Sequence, residues 1–331
     1  MDKWELLALL KTKENEYVSG EYISKKFEVT RTSIWKNINE LKTLGYKIES
    51  KTNKGYKLIT PFDIFNAHEL EYMFMKKNLP YQVIFMNTVD STNNEAKRLQ
   101  NINSNNIVIA ATEQTGGRGR YSRLFLAKHS LGIYFTIKIN SSSEKSIAIK
   151  DVTFFPLIAA LSVCSAIKKL CGVELKIKWP NDLLYGDKKI CGILTEASIE
   201  AENLAVTYVI TGIGVNINYS VDDFPEEIKN TAISLRIITD EKYDRTKILC
   251  EIVESFTSYL SMPCIEILNK YRGHLITGRK ISFSQDNTAY IGTVHDINDD
   301  GNLIVVLEDD TPMIIQSGEI NFIQKEEEIL K

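Results

Sequence analysis

The chain contains few cysteines, and they are not arranged for a zinc site or a disulfide framework. There are five in 331 residues, and no two of them form a C-x-x-C pair. Metal sites and secreted disulfide scaffolds need paired or closely spaced cysteines. We therefore predict buried free thiols in a reducing compartment.

The sequence also lacks an apolar run that predicts a signal sequence or a membrane span. The stretch Leu6–Leu10 stands between Glu5 and Lys11, and it is shorter than the apolar region of a signal peptide. No other run approaches the length of a transmembrane helix. We expect a cytoplasmic protein with no membrane partner.

A phosphate-binding loop of the Walker A type is absent, because no Gly-Lys pair occurs in the sequence. The glycines of Thr211–Asn216 lack the third glycine and the following helix of a dinucleotide fingerprint. If the protein uses ATP, it does not bind the nucleotide as a P-loop protein does.

Positive charge is concentrated at the N-terminus. Residues 1–60 contain twelve lysines and arginines against eight acidic residues, a net charge of +4, and the remaining residues carry −7. The overall contents of apolar residues (44%) and charged residues (25%) are those of an ordinary globular protein. A basic module joined to an acidic body predicts a local site for a polyanion.

The N-terminal block has the pattern of a winged helix-turn-helix. The spacing predicts a short helix over Glu21–Phe27 and a second helix that is capped by Thr30 and ended by Gly45. Tyr46–Ser50 and Tyr56–Ile59 alternate as two strands around a turn. The second helix carries its apolar residues at helical spacing: Ile34, Ile38, Leu41 and Leu44.

The second helix of such a module lies in the DNA major groove, with its first residues at the base edges. We expect Trp35, on the same helix, to pack rather than to read bases. A winged helix can also serve as a protein-docking or architectural module, and these alternatives stay open. The predicted DNA contacts are on this helix and on the wing: Arg31, Thr32, Ser33, Lys36, Lys51 and Lys54.

Three compositional blocks predict three domains, spanning 1–61, 62–275 and 276–331. Thr60-Pro61 marks the first boundary, because proline disfavours helix at the residue before it. Strands and helices alternate in the second block without regular βαβ spacing, which predicts a mixed sheet in an α+β fold. Short strands in the third block predict a small β-barrel.

A basic glycine-rich loop, Gly116–Arg120, follows a strand-like apolar run in the second block. Its glycines allow the backbone to approach a ligand closely. Arg118, Arg120 and Arg123 place three cations on this loop, and the guanidinium fork matches phosphate or carboxylate geometry. The loop predicts an anionic ligand such as a nucleotide phosphate, although a basic surface turn has the same composition.

A second polar motif, Lys178–Asp182, ends a predicted strand and enters a turn. It is either a plain Asx turn or a lysine and a carboxylate directed at one pocket. Asp182 is a candidate Mg²⁺ ligand, because this hard cation prefers oxygen. Lys189 and Glu196 follow at a spacing of seven, so on a regular strand they point to opposite faces. At most one of them should enter the pocket unless a bulge intervenes.

Five motifs taken together resemble the bifunctional biotin–protein ligase and biotin operon repressor family. They occur in this order: Asp90–Asn93, Gly117–Arg120, Lys178–Asp182, Lys189–Glu196 and Gly212–Asn216. The resemblance extends over all three blocks. It implies a winged-helix domain, a central mixed-sheet ligase domain and a C-terminal SH3-like β-barrel.

The resemblance implies a ligase that converts biotin and MgATP into biotinyl-5′-AMP and pyrophosphate. A lysine on the biotin carboxyl carrier domain of a biotin-dependent carboxylase then takes the biotin, and AMP is released. The resemblance also implies a repressor of operator DNA, for which biotinyl-5′-AMP is the corepressor that promotes a homodimer. Biotin, ATP and Mg²⁺ are the implied ligands.

Site residues are implied by the same resemblance. The catalytic group is Arg118, Arg120, Lys178 and Lys189. The biotin-binding group is Ser91, Thr92, Asn93, Gln114, Gly117, Arg118, Gly119, Arg120, Lys189 and Gly192. The residues implied for ATP and the adenylate are Arg123, Phe125, Lys178, Asn181 and Asn216, with Asp182 for the metal.

The chain departs from the family pattern at two positions of the loop. Ser122 stands where the family often has glycine, and Phe125 stands where it often has tryptophan. Two alternatives remain: a winged-helix biotin sensor without catalysis, and a lipoate ligase of related fold. The retained lysines and arginines argue against the sensor, and the N-terminal module argues against the lipoate ligase.

Overall fold

The computed structural model describes residues 1–13, 16–59, 63–99, 106–142, 146–200, 202, 204–285 and 288–323. The chain divides into two compact units, Met1–Ile64 and Phe65–Lys331. The predicted boundary at Thr60 and Pro61 lies outside the described residues. Each unit is considered by itself below.

The first unit has the predicted helix-turn-helix and hairpin, preceded by an additional helix. Thr30 caps α3 by accepting a hydrogen bond from the backbone N–H of Ser33 at 3.2 Å. Ile34, Ile38 and Leu41 are buried as predicted, whereas Leu44, at the C-cap just beyond the helix, is exposed. The N-terminal helix was not predicted; Asp2 and Glu5 form a capping box at its start. The elements are α1 Lys3–Thr12, α2 Gly20–Phe27, α3 Arg31–Thr43, β1 Lys47–Lys51 and β2 Gly55–Ile59.

A seven-stranded mixed sheet forms the base of the second unit. In chain order its strands are β3 Gln82–Val89, β4 Ile107–Gln114, β5 Gly132–Asn140, β6 Lys176–Lys178, β7 Asp182–Tyr185, β8 Lys188–Ile199 and β9 Val206–Asn216. Their spatial order is β3-β4-β5-β9-β8-β7-β6. The first pair is parallel and the other neighbours are antiparallel, which confirms the predicted mixed sheet of an α+β fold.

Helices cover both faces of this sheet. They are α4 Ala67–Lys76, α5 Thr92–Arg98, α6 Phe154–Cys171, α7 Leu235–Thr239, α8 Arg245–Leu260 and α9 Cys264–His274. The main core joins α6 and α8 to one face, through residues such as Val108 and Ile213. Ala96 of α5 packs on the opposite face, with Ile107 and Ile109. Because side chains alternate along a strand, even-numbered residues of β8 and β9 beside Ile193 and Ile213 face the α5 side.

The C-terminal strands form a five-stranded antiparallel sheet. They are β10 Lys280–Gln285, β11 Thr288–Ile297, β12 Leu303–Leu307, β13 Pro312–Ile315 and β14 Ile320–Phe322. Their order is β13-β12-β11-β10-β14, and their apolar face joins the main core. The pairings among these described strands do not close a barrel, so the SH3-like barrel stays a prediction.

One helical segment, 149–171, is long and apolar enough to cross a membrane. The apolar runs of the sequence had not predicted such a segment. Two-thirds of its apolar window (67%) is buried within the protein, because α6 packs against both the sheet and α8. The segment therefore has the packing of a core helix.

The five cysteines are all free, as predicted, but not all are buried: Cys171 is half-buried and Cys264 is exposed. Cys164, Cys191 and Cys250 are buried, and burial raises the pKa of the Cys164 thiol to about 12. Such thiols are poor nucleophiles at neutral pH.

Candidate active site

A cleft on the α5 side of the large sheet gathers most of the residues that the sequence analysis selected. Its empty volume is about 1010 Å³, including the open mouth. Gly117 and Asn216 are the predicted residues outside the lining. The predicted residues in the lining are Ser91, Thr92, Asn93, Gln114, Arg118, Gly119, Arg120, Arg123, Phe125, Lys178, Asn181, Asp182, Lys189 and Gly192.

A β-bulge brings Lys189 into the cleft. Leu183 of β7 pairs with Cys191, but Leu184 pairs with Lys189, so Ile190 is an extra residue on β8. The bulge shifts the alternation and places Lys189 on the same face as Gly192. Its ammonium lies 2.7 Å from Asp182 Oδ1. The bulge foreseen as an exception is therefore present, and Lys189 and Glu196 face the same side, but of the two only Lys189 lines the cleft.

Glycines provide the floor beneath an aromatic ring. Gly192 and Gly214 are paired across β8 and β9, and the ring of Phe125 lies on both. A Cβ atom at Gly214 would be 2.4 Å from this ring, and one at Gly192 would be 3.2 Å from it. Tyr134 meets the same ring edge-on, with 6.5 Å between centroids. Any side chain at Gly214 would displace Phe125, which explains the glycine.

The start of α5 is held by a buried polar network. Gln114 Oε1 accepts hydrogen bonds from the Thr92 backbone N–H at 2.8 Å and from its hydroxyl at 3.1 Å. The Asn93 amide donates to the Leu194 carbonyl at 3.2 Å and to Glu196 Oε2 at 3.0 Å. Both amide hydrogens of Asn93 are therefore engaged, and this residue ties α5 to β8.

The arginine loop is a short hairpin attached to the C-terminal sheet. The Gly119 N–H donates to the Arg123 carbonyl at 2.8 Å. Arg120 Nη1 donates to the Gly318 carbonyl at 2.8 Å, and Arg123 forms an ion pair with Glu319. Glu319 and its neighbour Ile320 also line the cleft. Sequence reasoning missed this contribution, since about 200 residues separate the partners and no motif marks the contact.

Lys178 is a partly desolvated cation at the cleft wall. Burial lowers its pKa below the usual lysine value, and the carboxylates of Asp182 and Glu319 partly offset this effect. Its ammonium lies 5.1 Å from the centroid of the Phe322 ring. A lysine with few waters to displace is suited to bind an anion strongly.

Asn181 and Asn216 are engaged with the backbone. Asn181 Nδ2 donates to the Ile193 carbonyl at 3.1 Å. Asn216 Nδ2 donates to the Ile233 carbonyl at 3.1 Å, and the residue is buried. The Ile233 N–H in turn donates to the Lys189 carbonyl at 2.9 Å. Asn216 is thus connected to Lys189 through the backbone of Ile233, and it does not line the cleft itself.

Few side chains in the cleft could act as ligands for the predicted Mg²⁺. Among the described residues, no group of three or more His, Cys, Asp or Glu side chains could hold an ion. Asp182 and Glu319 are the carboxylates of the lining, and each is paired with a cation. One carboxylate fits a Mg²⁺ that arrives with substrate phosphates and keeps several waters.

In the first unit, the structure places most of the predicted DNA-contacting residues on the surface. Arg31, Thr32 and Lys36 are exposed on α3, and Lys51 and Lys54 are exposed on the wing. Ser33 is half-buried at the start of the helix. The expectation that Trp35 packs is wrong: 60% of this residue is exposed. It lies beside the apolar face of α3 rather than within it.

Comparisons with known proteins agree with these features. Residues 85–216 match the biotin/lipoate A/B protein ligase family, and residues 5–57 match an HTH domain. The chain is 31% identical over 307 residues to the bifunctional ligase/repressor BirA of Bacillus spizizenii, which covers 91% of this chain and 93% of the relative. It is 27% identical over 214 residues to BirA of Escherichia coli K12, covering 64% and 63%.

A solved structure of a biotin protein ligase is also similar to this chain. The biotin protein ligase from Aquifex aeolicus, in complex with biotin and ATP, superposes with a TM-score of 0.61 at 27% identity. The match covers 73% of this chain and 98% of that chain. Because the similarity to the Bacillus ligase/repressor spans nearly the full length of both proteins, this chain belongs to the bifunctional branch of the biotin protein ligase family.

Proposed function

We propose that this protein is an ATP-dependent, AMP-forming biotin ligase that acts on a biotin carboxyl carrier domain and also represses transcription in response to biotin. The observation that carries the proposal is the convergence of the arginine loop, Lys178 and the Lys189–Asp182 pair on one cleft with a glycine floor. The full-length similarity to a ligase/repressor supports both activities.

In the first step, a biotin carboxylate oxygen attacks the α-phosphorus of ATP, and the bond from this phosphorus to the bridging oxygen breaks, releasing pyrophosphate. The wall for the biotin head group consists of Ser91, Thr92, Asn93 and Gln114. Lys189 meets the carboxylate and the α-phosphate. Positioning and charge neutralisation are the main catalytic requirements, and no covalent enzyme intermediate is needed.

The arginine loop and its neighbours bind the nucleotide. The phosphates are surrounded by four cations: Arg118, Arg120, Arg123 and Lys178. Gly119 lets the loop backbone approach them. Gly117 lies outside the lining and instead lets the Phe125 carbonyl pass closely, 2.8 Å from where a Cβ atom would stand. Phe125 covers the adenine, and Asn181 holds the adjacent turn. We assign Asn216 a supporting part through its bond to Ile233, in place of direct nucleotide contact. Mg²⁺ bound with ATP would be held by Asp182 and would neutralise phosphate charge.

In the second step, the lysine amine of the carrier attacks the acyl carbon of biotinyl-5′-AMP. The bond between this carbon and the phosphate oxygen breaks, AMP leaves, and the amine nitrogen loses a proton. The open mouth of the cleft, beside the exposed Tyr121 and Leu124, provides the route for this lysine.

ATP–pyrophosphate exchange with and without biotin tests the first step. We expect exchange only with biotin, and loss of about two orders of magnitude or more in Lys189→Met, the usual scale for removing a group that stabilises transition-state charge. Lys188→Met, an exposed neighbour on β8, is the matched control and should keep full exchange. Biotin-independent exchange would contradict the proposal.

Transfer is tested by adding an apo carrier domain and blotting with streptavidin. Labelled carrier is expected. If the protein binds biotin but catalyses no pyrophosphate exchange, it is a sensor without catalysis. If lipoate is a better substrate than biotin, the protein is a lipoate ligase.

The repressor half of the proposal rests on the winged-helix unit. α3 and the wing carry exposed cations, which suit the major groove and the flanking phosphates. Biotinyl-5′-AMP is the proposed corepressor, and a homodimer would match an operator with two half-sites. We expect the protein to work in the cytoplasm, where its free thiols stay reduced.

A further inference from the structure

Trp35 is an unusual residue on the outer surface of α3. Of the three tryptophans, Trp179 is buried and Trp4 is half-buried, whereas 60% of Trp35 is exposed. Single exposed hydrophobic residues are common on protein surfaces and indicate no contact by themselves. Trp35 differs because it lies in the first two turns of the helix predicted to enter the major groove, among exposed cations.

The neighbours of Trp35 define the kind of contact. Helical spacing places it one turn after Arg31 and next to Lys36, and Thr32 lies three residues before it. All three neighbours are exposed. The cations can hold phosphates on either side, but an indole ring offers a phosphate little. In the major groove, the apolar group that a base edge presents is the C5-methyl of thymine.

We infer that Trp35 is a sequence-reading residue, whose indole packs on thymine methyl groups in the major groove of the DNA that α3 binds. The inference rests on the DNA-binding half of the proposed function and deepens it. It assigns apolar base readout to one side chain, beside the polar contacts of Arg31, Thr32 and Lys36.

The alternative contact is a ring that covers the sugar-phosphate backbone. Such a contact would strengthen binding to every sequence equally. Removal of single thymine methyl groups separates the two, because uracil keeps the hydrogen-bonding edge and the backbone of thymine but lacks its methyl.

The experiment begins with the full-length protein, biotin and MgATP. A binding site is selected from a randomised duplex library, and each thymine of this site is then replaced in turn by deoxyuridine. We expect wild-type affinity to fall about fourfold at one or two thymines per half-site, the effect of losing one buried methyl group. The same replacements should leave the affinity of Trp35→Ala unchanged.

Two further variants sharpen the test. Trp35→Phe keeps an apolar ring and should retain part of the methyl dependence. Lys36→Ala should weaken binding to all duplexes and lower the salt dependence, while the uracil pattern persists. Thermal unfolding of each variant checks the fold, and an exposed side chain such as Trp35 is expected to leave it intact.

Two results would overturn the inference in different ways. If the wild-type protein selects a site and Trp35→Ala shows the same thymine-to-uracil losses, Trp35 does not read methyl groups, although the protein is still a DNA-binding repressor. If the wild-type protein selects no sequence at all, the repressor function fails and the inference fails with it.

Discussion

Gly212 on β9 lies against the side chain that fixes the start of α5. A Cβ atom at this position would be 2.3 Å from Asn93 Oδ1 and 2.9 Å from its Cγ. Gly212→Ala must therefore displace Asn93 and loosen its bonds to β8. We expect the KM for biotin in pyrophosphate exchange to rise at least about tenfold, which corresponds to about 1.4 kcal/mol. Gly273→Ala in α9, where a Cβ meets nothing within 4 Å, is the control; equal KM values in both variants would refute the assignment.

Lys138 on β5 is a buried cation that closes the other end of α5. Only 1% of it is exposed, and its ammonium donates to the Ala96 and Leu99 carbonyls at 3.1 Å each. Burial lowers its pKa. In the unfolded chain the lysine regains its ordinary pKa of about 10.4. Between these two values the unfolded state holds more protons, so the contribution of Lys138 to the free energy of unfolding rises with pH.

The variant Lys138→Met tests this linkage. The free energy of unfolding of the wild type minus that of Lys138→Met should increase as the pH is raised toward the ordinary lysine pKa of about 10.4. Urea unfolding measures it at each pH, and Lys188→Met, which removes an exposed lysine, should show no such trend. A difference that stays flat or falls with pH would show that the burial of Lys138 does not govern its ionisation.

At the scale of elements, we propose that the arginine loop is a lid, anchored at the turn that joins β13 to β14. Arg120 provides this anchor through the Gly318 carbonyl, and its guanidinium lies 5.3 Å from the centre of the Tyr121 ring. Arg120→Gly removes the anchor and adds backbone freedom. We expect biotinyl-5′-AMP to dissociate about tenfold faster or more, an effect in line with losing one charge-assisted hydrogen bond, and to label bystander lysines.

A chase of bound labelled adenylate measures this off-rate, and a streptavidin blot of an added unrelated protein measures the labelling. Arg272→Gly is a matched control, because Arg272 also donates to a carbonyl of the C-terminal sheet, that of Ile297 at 2.9 Å, but lies outside the cleft lining. An unchanged off-rate in Arg120→Gly would refute the function of the loop as a lid.

Local sequence patterns predict helices, strands and turns well, but they do not predict how neighbouring strands pair. The caps and spacing of α3 and the hairpin turn are encoded within a few residues, and the structure confirms them. The bulge at Ile190 is not encoded in this way: it depends on how β7 pairs with β8, and it alone decides where Lys189 points. The contribution of Glu319 to the cleft depends on packing between distant segments. Trp35 is exposed although it follows the buried Ile34, because helical spacing does not fix how far the apolar stripe extends around a helix.

At the scale of the whole molecule, one chain combines a basic helix-turn-helix unit with a ligand-binding unit that is acidic overall. These units form a switch only if biotinyl-5′-AMP binds the DNA-competent form of the protein more tightly than the other form. A corepressor that favours a homodimer meets this condition, since two half-sites bind a dimer more tightly than a monomer. The switch therefore predicts a change in both oligomeric state and operator affinity.

We expect biotin with MgATP to raise affinity for the selected operator by about fivefold to 150-fold, the usual range of coupling between two sites. Fluorescence anisotropy measures the affinity, and sedimentation velocity measures the dimer. Lys189→Met, which should not form the adenylate, is expected to ignore biotin and ATP but to respond to high concentrations of added biotinyl-5′-AMP. Because coupling is reciprocal, operator DNA must raise the affinity for the adenylate by the same factor. If biotin and ATP do not change the affinity for the operator, the switch is refuted. The protein would then be a ligase whose DNA-binding unit is not regulated by the adenylate.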